Sequence, residues 1–207
     1  MQENSLTRRG RERLNHRRQI LDAAVKLFSE FGYHNVSMHR IAKKAEFAIG
    51  TMYKFFSNKE ALYRAMIMEF AEKVNAAIIE ALEIPGDETE KIRNYVKIKG
   101  DVLIRNTTVL RLYVSGTQGA GMDLTAGLNE EIGQMYDQVL IRLAQVFETG
   151  IKEKRFKPLL APYYLAVAIE SLTNAFLLLW LKDPQQHPYM DNVETIMEIF
   201  FNNVRTA

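Results

Sequence analysis

Between Arg17 and Leu62 the chain packs four apolar-periodic segments so close together that it can only turn sharply between them. Ile20, Leu21, Ala24, Leu27, Phe28 and Phe31 recur at helical spacing as one apolar face, and Gly32 follows at once as a helix stop. Ser37 stands as an N-cap before Met38, Ile41, Ala42 and Ala45, which predicts a second, short helix over 37–44. A turn at 45–47 then leads into a third helix, 48–55. Ser57 and Asn58 are the capping candidates for a fourth, Ser57 with Glu60 at capping-box spacing. Leu62, Met66, Phe70, Val74, Ala77, Ile78 and Leu82 carry that helix to Pro85-Gly86. A short bracing helix, a tight turn and a second short helix form a helix-turn-helix, which presents its second helix to a nucleic-acid groove.

Beyond Gly86 every segment again reads helical. One helix is predicted from Glu88 to Ser115, followed by a glycine-rich turn at Gly116, Gly119 and Gly121. Another runs from Leu124 to Lys154, and a third, apolar over most of its circumference, from Tyr163 to Leu181. Pro184 and Pro188 bound a loop before a last helix, Asn192 to Arg205. The expected fold class is all-α, a three-helix N-terminal helix-turn-helix domain followed by a helical domain.

Charge is uneven along this chain. Residues 1–60 hold 12 Lys/Arg against 6 Asp/Glu, whereas the remainder holds 15 against 19. A basic end on a mildly acidic body points to a polyanion as the partner of that end. Residues 1–16, with Arg8, Arg9, Arg11 and Arg13, show no sustained periodicity and read as a flexible basic arm. The longest apolar run, Ala175 to Leu181, is too short to cross a bilayer, and the polar N-terminus does not resemble a signal peptide. The chain has no cysteine, which excludes disulfides and thiolate metal sites. A cytoplasmic protein with no membrane partner is the expectation.

On the third helix the small residues Ala48, Gly50 and Thr51 let the backbone approach a duplex closely, and Ile49 stands among them as a further DNA-binding candidate. The Thr51 and Ala48 methyls suit a thymine methyl, and the Thr51 hydroxyl a base or phosphate. Tyr53, Lys54 and Lys59 suit phosphates, Arg40 on the bracing helix suits the backbone or a base, and Ser37 is a further DNA-binding candidate. Met52, Phe55 and Phe56 share helical spacing with Ile41 and Leu62 and read as core.

Residues 17–62, about a quarter of the chain, resemble the N-terminal domain of the TetR family of bacterial transcriptional regulators. The resemblance is carried by Arg18-Gln-Ile-Leu-Asp-Ala-Ala24, Leu27-Phe28, Phe31-Gly32-Tyr33 and Val36-Ser37. It continues through Ile41-Ala42, Gly50-Thr51-Met52-Tyr53 and Phe56-Ser57-Asn58-Lys59-Glu60-Ala61-Leu62. Two positions depart from the pattern: Glu46 stands where the family's turn usually has glycine, and Ala48 where its reading helix usually opens with a polar residue. The family implies a DNA-binding domain over 17–60 and a helical effector-binding and dimerisation domain over 61–207. It also implies a homodimer on a near-palindromic double-stranded operator, released by a small effector that repositions the fourth helix, residues 58–84.

The family's dimer interface lies on the last two helices, where this chain offers Leu165, Ile169, Leu172, Phe176, Ile196 and Phe200. For the effector, apolar candidates include Phe70, Met122, Tyr136 and, foremost, Tyr95, Tyr113, Met135, Phe147 and Trp180. Asn174, Glu170, Asn106 and Gln118 are possible polar anchors. No cationic cluster is evident in these stretches, so a small hydrophobic or aromatic effector is expected. No cofactor or metal is expected either. His16, His34, His39 and His187 are scattered, and the chain shows no nucleophile elbow or phosphate-binding glycine loop, which argues against an enzyme. The competing reading is an effector-independent or architectural DNA-binding protein of the same fold.

Overall fold

The computed structural model describes residues 7–118, 128–202 and 204. The helices are α1 (Arg8–Phe31), α2 (Met38–Lys44), α3 (Ile49–Phe55), α4 (Lys59–Glu83), α5 (Glu88–Arg105), α6 (Thr107–Gln118), α7 (Leu128–Lys152), α8 (Pro162–Lys182) and α9 (Val193–Phe201). They gather into two compact units. One is built on residues up to Phe70 with α6 from Thr108 onward, the other on Ala71–Thr107 with the residues from Asn129.

In the first unit α2 packs on α1 and α3. Ile20, Ala24, Ile41, Met52 and Leu62 are fully buried there, each of the larger ones contributing about 1.5–3 kcal/mol. Tyr63 donates its hydroxyl to the Leu112 carbonyl at 2.8 Å, joining α4 to α6. Burial pushes its pKa up to about 12, so it keeps that proton. Asn58, not Ser57, caps α4, its Oδ1 accepting from the Ala61 amide at 2.7 Å.

Helix α1 begins at Arg8, with Thr7 as its cap, so residues 8–16 are helical and not a flexible arm. Arg8, Arg9, Arg11 and Arg13 are all exposed. A helix with no buried face carries no apolar period, which is why the sequence pattern missed it. The helix expected from Glu88 to Ser115 is divided at Asn106, whose Nδ2 donates to the Val102 carbonyl at 2.6 Å. Thr107 likewise bonds the Ile104 carbonyl, so two adjacent side chains compete with the helix for its own acceptors. Gly116 belongs to α6 and not to a turn. Gly119, Gly121, Met122 and Leu124 lie outside the described residues.

The second unit has an apolar interior of Ile92, Val96, Leu143, Phe147, Ile169 and Ile196. Tyr189 lies so close to α5 that a Cβ added at Gly100 would sit 2.0 Å from its ring, and its hydroxyl donates to the Val96 carbonyl. Inside this interior Lys99 of α5 and Glu170 of α8 form a buried ion pair at 2.5 Å. Lys99 also donates to Asn174 Oδ1 at 2.8 Å and, at 3.4 Å, to the Tyr95 hydroxyl. Burial pushes the ammonium below and the carboxyl above their ordinary ranges, while the Asn174 amide partly draws the carboxyl back. One cation, Lys99, thus lies buried in stretches where no cationic cluster is expected.

Helix α8, with 21 residues, is long and apolar enough to cross a membrane, a length that the seven-residue run within it understates. Its inner face nevertheless carries Glu170 and Thr173, both buried in protein, as in a core helix. Lys99→Met is expected to cost about 3–5 kcal/mol by leaving a buried carboxylate without its counter-charge. Adding Glu170→Leu should restore most of that, and urea unfolding of the two variants measures the difference.

Candidate nucleic-acid interface

The turn between α2 and α3 closes through a Phe47 amide bond to the Ala42 carbonyl at 2.9 Å and an Ala45 amide bond to Ile41 at 2.8 Å. This six-to-one closure needs a left-handed residue in the turn, and Glu46 supplies it with φ of 61°. The glycine usual at this place is therefore replaced by a residue that strains to do the same task. Ala48 caps α3 with extended backbone and no side-chain bond, as its methyl dictates.

On α3 two faces separate cleanly. Met52 is fully buried, and Phe56 just beyond the helix is buried with it. Ala48, Gly50, Tyr53 and Lys54 are exposed together, Tyr53 at 50 %, while Ile49 and Thr51 lie half-buried at the margin. Phe55 is half-buried, with the His16 ring 6.5 Å away. Of the expected reading residues the structure thus leaves Gly50, Tyr53 and Lys54 exposed on α3 and Ala48 exposed at its cap.

The flanking cations are more constrained than their spacing implied. Ser37 Oγ accepts from the Arg40 amide at 3.2 Å and so serves first as the cap of α2. The Arg40 guanidinium stacks 3.6 Å above the Phe31 ring, a contact worth about 0.5–1 kcal/mol at an exposed site. Lys59 donates to the Tyr33 carbonyl at 2.9 Å and sits 4.2 Å over that ring, and burial pushes its pKa down. One of its three donors is committed within the chain. Arg17 pairs with Glu69 and lies 5.4 Å from the Phe56 ring.

The effector candidates divide. Tyr95 and Asn174 meet through Lys99. Phe147 is packed against Phe156 and Phe200, with ring centroids 5.7 and 5.6 Å apart, as core. Trp180 is buried, Met135 is half-buried on α7, and Tyr113 belongs to the first unit, on α6. A cleft of about 190 Å³ in the second unit is lined by Leu82, Glu83, Lys91, Arg142 and Thr149 and by none of them.

Three of the expected interface residues are corrected: Leu165, Ile169 and Ile196 are buried inside the single chain. Leu172, Phe176 and Phe200 are half-buried. The outward row of α8 is instead Tyr164, Ala168, Ser171, Ala175, Leu178 and Lys182, a three-four alternation. Lys99 was missed as a functional residue, although its place among Ile92, Tyr95, Val96 and Val102 puts a lysine on an apolar helix face. Glu46→Gly is expected to raise Tm by about 1–3 °C by relieving the left-handed strain. Glu46→Ala, which keeps the Cβ, should give no such gain, and calorimetry on both variants checks this.

Residues 20–66 match the sequence model described as bacterial regulatory proteins, tetR family. The uncharacterized HTH-type transcriptional regulator YdgC of Bacillus subtilis (strain 168) is 30% identical over 175 residues, covering 81% of this chain and 84% of its own. Among solved structures, the regulator FadR from Bacillus subtilis in complex with stearoyl-CoA superposes with a TM-score of 0.70. It is 21% identical, with 90% of this chain and 98% of that chain covered. SmeT, a repressor from Stenotrophomonas maltophilia solved with triclosan, gives 0.76 at 14% identity, covering 93% and 92%. These relatives are regulators and not enzymes. With its reading helix, its bracing helix and a relative matched over most of both lengths, the chain belongs to the TetR family of bacterial transcriptional regulators.

Proposed function

We propose that this regulator is a ligand-responsive repressor that binds a near-palindromic operator as a homodimer and leaves it when a small apolar effector binds. The observation that carries the DNA-binding part is the exposed set Ala48, Gly50, Tyr53 and Lys54 on a helix whose opposite face is anchored by Met52. Thr51 and Ala48 contact bases, while Tyr53, Lys54 and Arg40 contact phosphates. Ser37 and Lys59, each with an internal partner, contribute secondary phosphate bonds. The protein acts in the cytoplasm, where its DNA is.

The second unit supplies the self-association. Leu178 and Tyr164 are 63 % and 62 % exposed, Leu179 is 44 % exposed, and Ile199 on α9 is 54 % exposed. The small Ala168, Ser171 and Ala175 between them let a second α8 approach closely. Leu172, Phe176 and Phe200 extend this face. Effector control follows from α4, whose residues to Phe70 belong to the first unit and from Ala71 to the second. An effector that favours one placement of α4 shifts the population away from the DNA-binding arrangement. That SmeT was solved with triclosan supports an effector of this kind.

Selection of genomic fragments by the purified protein tests the reading. Enrichment of a few near-palindromic sites is expected, and diffuse recovery that vanishes with salt would favour an architectural protein. On an enriched site, Thr51→Ala should cost about 1–3 kcal/mol and relax preference at one position, whereas Lys54→Ala should weaken all sequences alike and lower the salt slope by about 1. Leu178→Glu should give monomers in sedimentation and a large loss of operator affinity.

A further inference from the structure

Among the described residues, three buried side-chain atoms have no hydrogen-bond partner: Asn75 Oδ1, Glu170 Oε2 and Thr173 Oγ1. All are oxygens and all belong to the second unit. Two of them stand within one turn of each other on the inner face of α8, where Glu170 is 2 % and Thr173 0 % exposed. A buried polar atom left unpaired costs free energy comparable to a lost hydrogen bond, so two on one turn ask for a partner.

The lysine, the amide and Tyr189 beside them are directed elsewhere. The three hydrogens of the Lys99 ammonium are directed to Glu170 Oε1, Asn174 Oδ1 and the Tyr95 hydroxyl. Asn174 Nδ2 returns to Glu170 Oε1 at 3.1 Å, the oxygen that already has a donor. Tyr189 spends its hydroxyl on the Val96 carbonyl at 2.8 Å. What remains is acceptor capacity at Glu170 Oε2, a hydroxyl at Thr173 and the hydrogen of the Tyr95 hydroxyl, in a unit whose interior is otherwise apolar.

We infer that Glu170 Oε2 and Thr173 Oγ1 form the polar end of an effector site for an uncharged, hydroxyl-bearing apolar molecule, an alcohol or a phenol. This rests on the ligand-responsive reading above and names its chemistry. A hydroxyl donates to the carboxylate and accepts from the threonine, so both atoms are satisfied at once. A carboxylate ligand has no donor to give and sets a second negative charge beside Glu170. An ammonium donates, but adds an uncompensated positive charge to a site where Lys99 already balances Glu170. Selection by the hydroxyl follows, because a site built to bond an OH rejects the analogue lacking it.

The test uses the full chain with decanol, decyl methyl ether and decanoate, read by the fluorescence of Trp180, the chain's single tryptophan, and by thermal melts. Decanol should bind about tenfold more tightly than its ether, with decanoate weaker than both. Thr173→Val keeps the side-chain shape, so it should weaken decanol several-fold, leave the ether unchanged, and raise the melting temperature of the free protein. Glu170→Gln should abolish or reverse the preference, because Lys99 keeps the amide oxygen and the NH2 takes the place of Oε2. Equal binding of alcohol and ether, tighter binding of decanoate, binding of none of the three, or a lowered melting temperature for Thr173→Val would overturn the assignment. Operator release by decanoate alone would sink this site and leave the ligand-responsive reading standing. Decanol bound as expected with the operator retained would do the reverse.

Discussion

A helix of seven residues does not persist in water, since it makes too few backbone bonds to offset its nucleation. Both α2 and α3 have that length, so the reading head exists only because Ile41 and Met52 are drawn out of water as α2 packs on α1 and α3. The consequence is a division of labour within one short helix. The side that must be buried for α3 to form leaves Gly50, Tyr53 and Lys54 outside as a set. Even the turn is subordinate to this packing, because Glu46 is held at a positive φ that its side chain disfavours.

The second unit works under the opposite condition. Its helices are long, and enough apolar surface is buried for the interior to tolerate a charged pair at Lys99 and Glu170. Helix α8 consequently has an unusual cross-section, with Glu170 and Thr173 inward and Tyr164, Leu178 and Leu179 outward. Two polar side chains thus lie buried beside Leu165, Ile169 and Leu177, while large apolar side chains stay exposed on the other side of the same helix. Asn174 bonds both members of the ion pair, accepting from Lys99 and donating to Glu170.

Much of the site was legible because its determinants act over a few residues. Ser37 and Asn58 cap by reaching three positions along the chain, and the spacing of Ile41, Met52, Phe56 and Leu62 marks the core side of the head directly. The stacking of Arg40 on Phe31 and the bond from Lys59 to Tyr33 were not legible, since each closes a loop whose geometry depends on packed neighbours. Helix α1 from Arg8 was hidden for a different reason. Its first turns are exposed on every side, and only buried faces leave a period.

By itself the sequence determined that the chain is helical throughout, where the helix-turn-helix lies, and which face of α3 is free, because caps and apolar periods are local. Only tertiary structure decided which of the many apolar residues of α8 turn inward. Leu165 and Ile169 serve the chain's own interior, whereas Tyr164 and Leu178 stay exposed. The same is true of the pairing of Lys99 with Glu170, 71 residues apart. A helix apolar all round carries no record of which neighbour covers which side; that information resides in the surfaces of α5 and α9 packed against it.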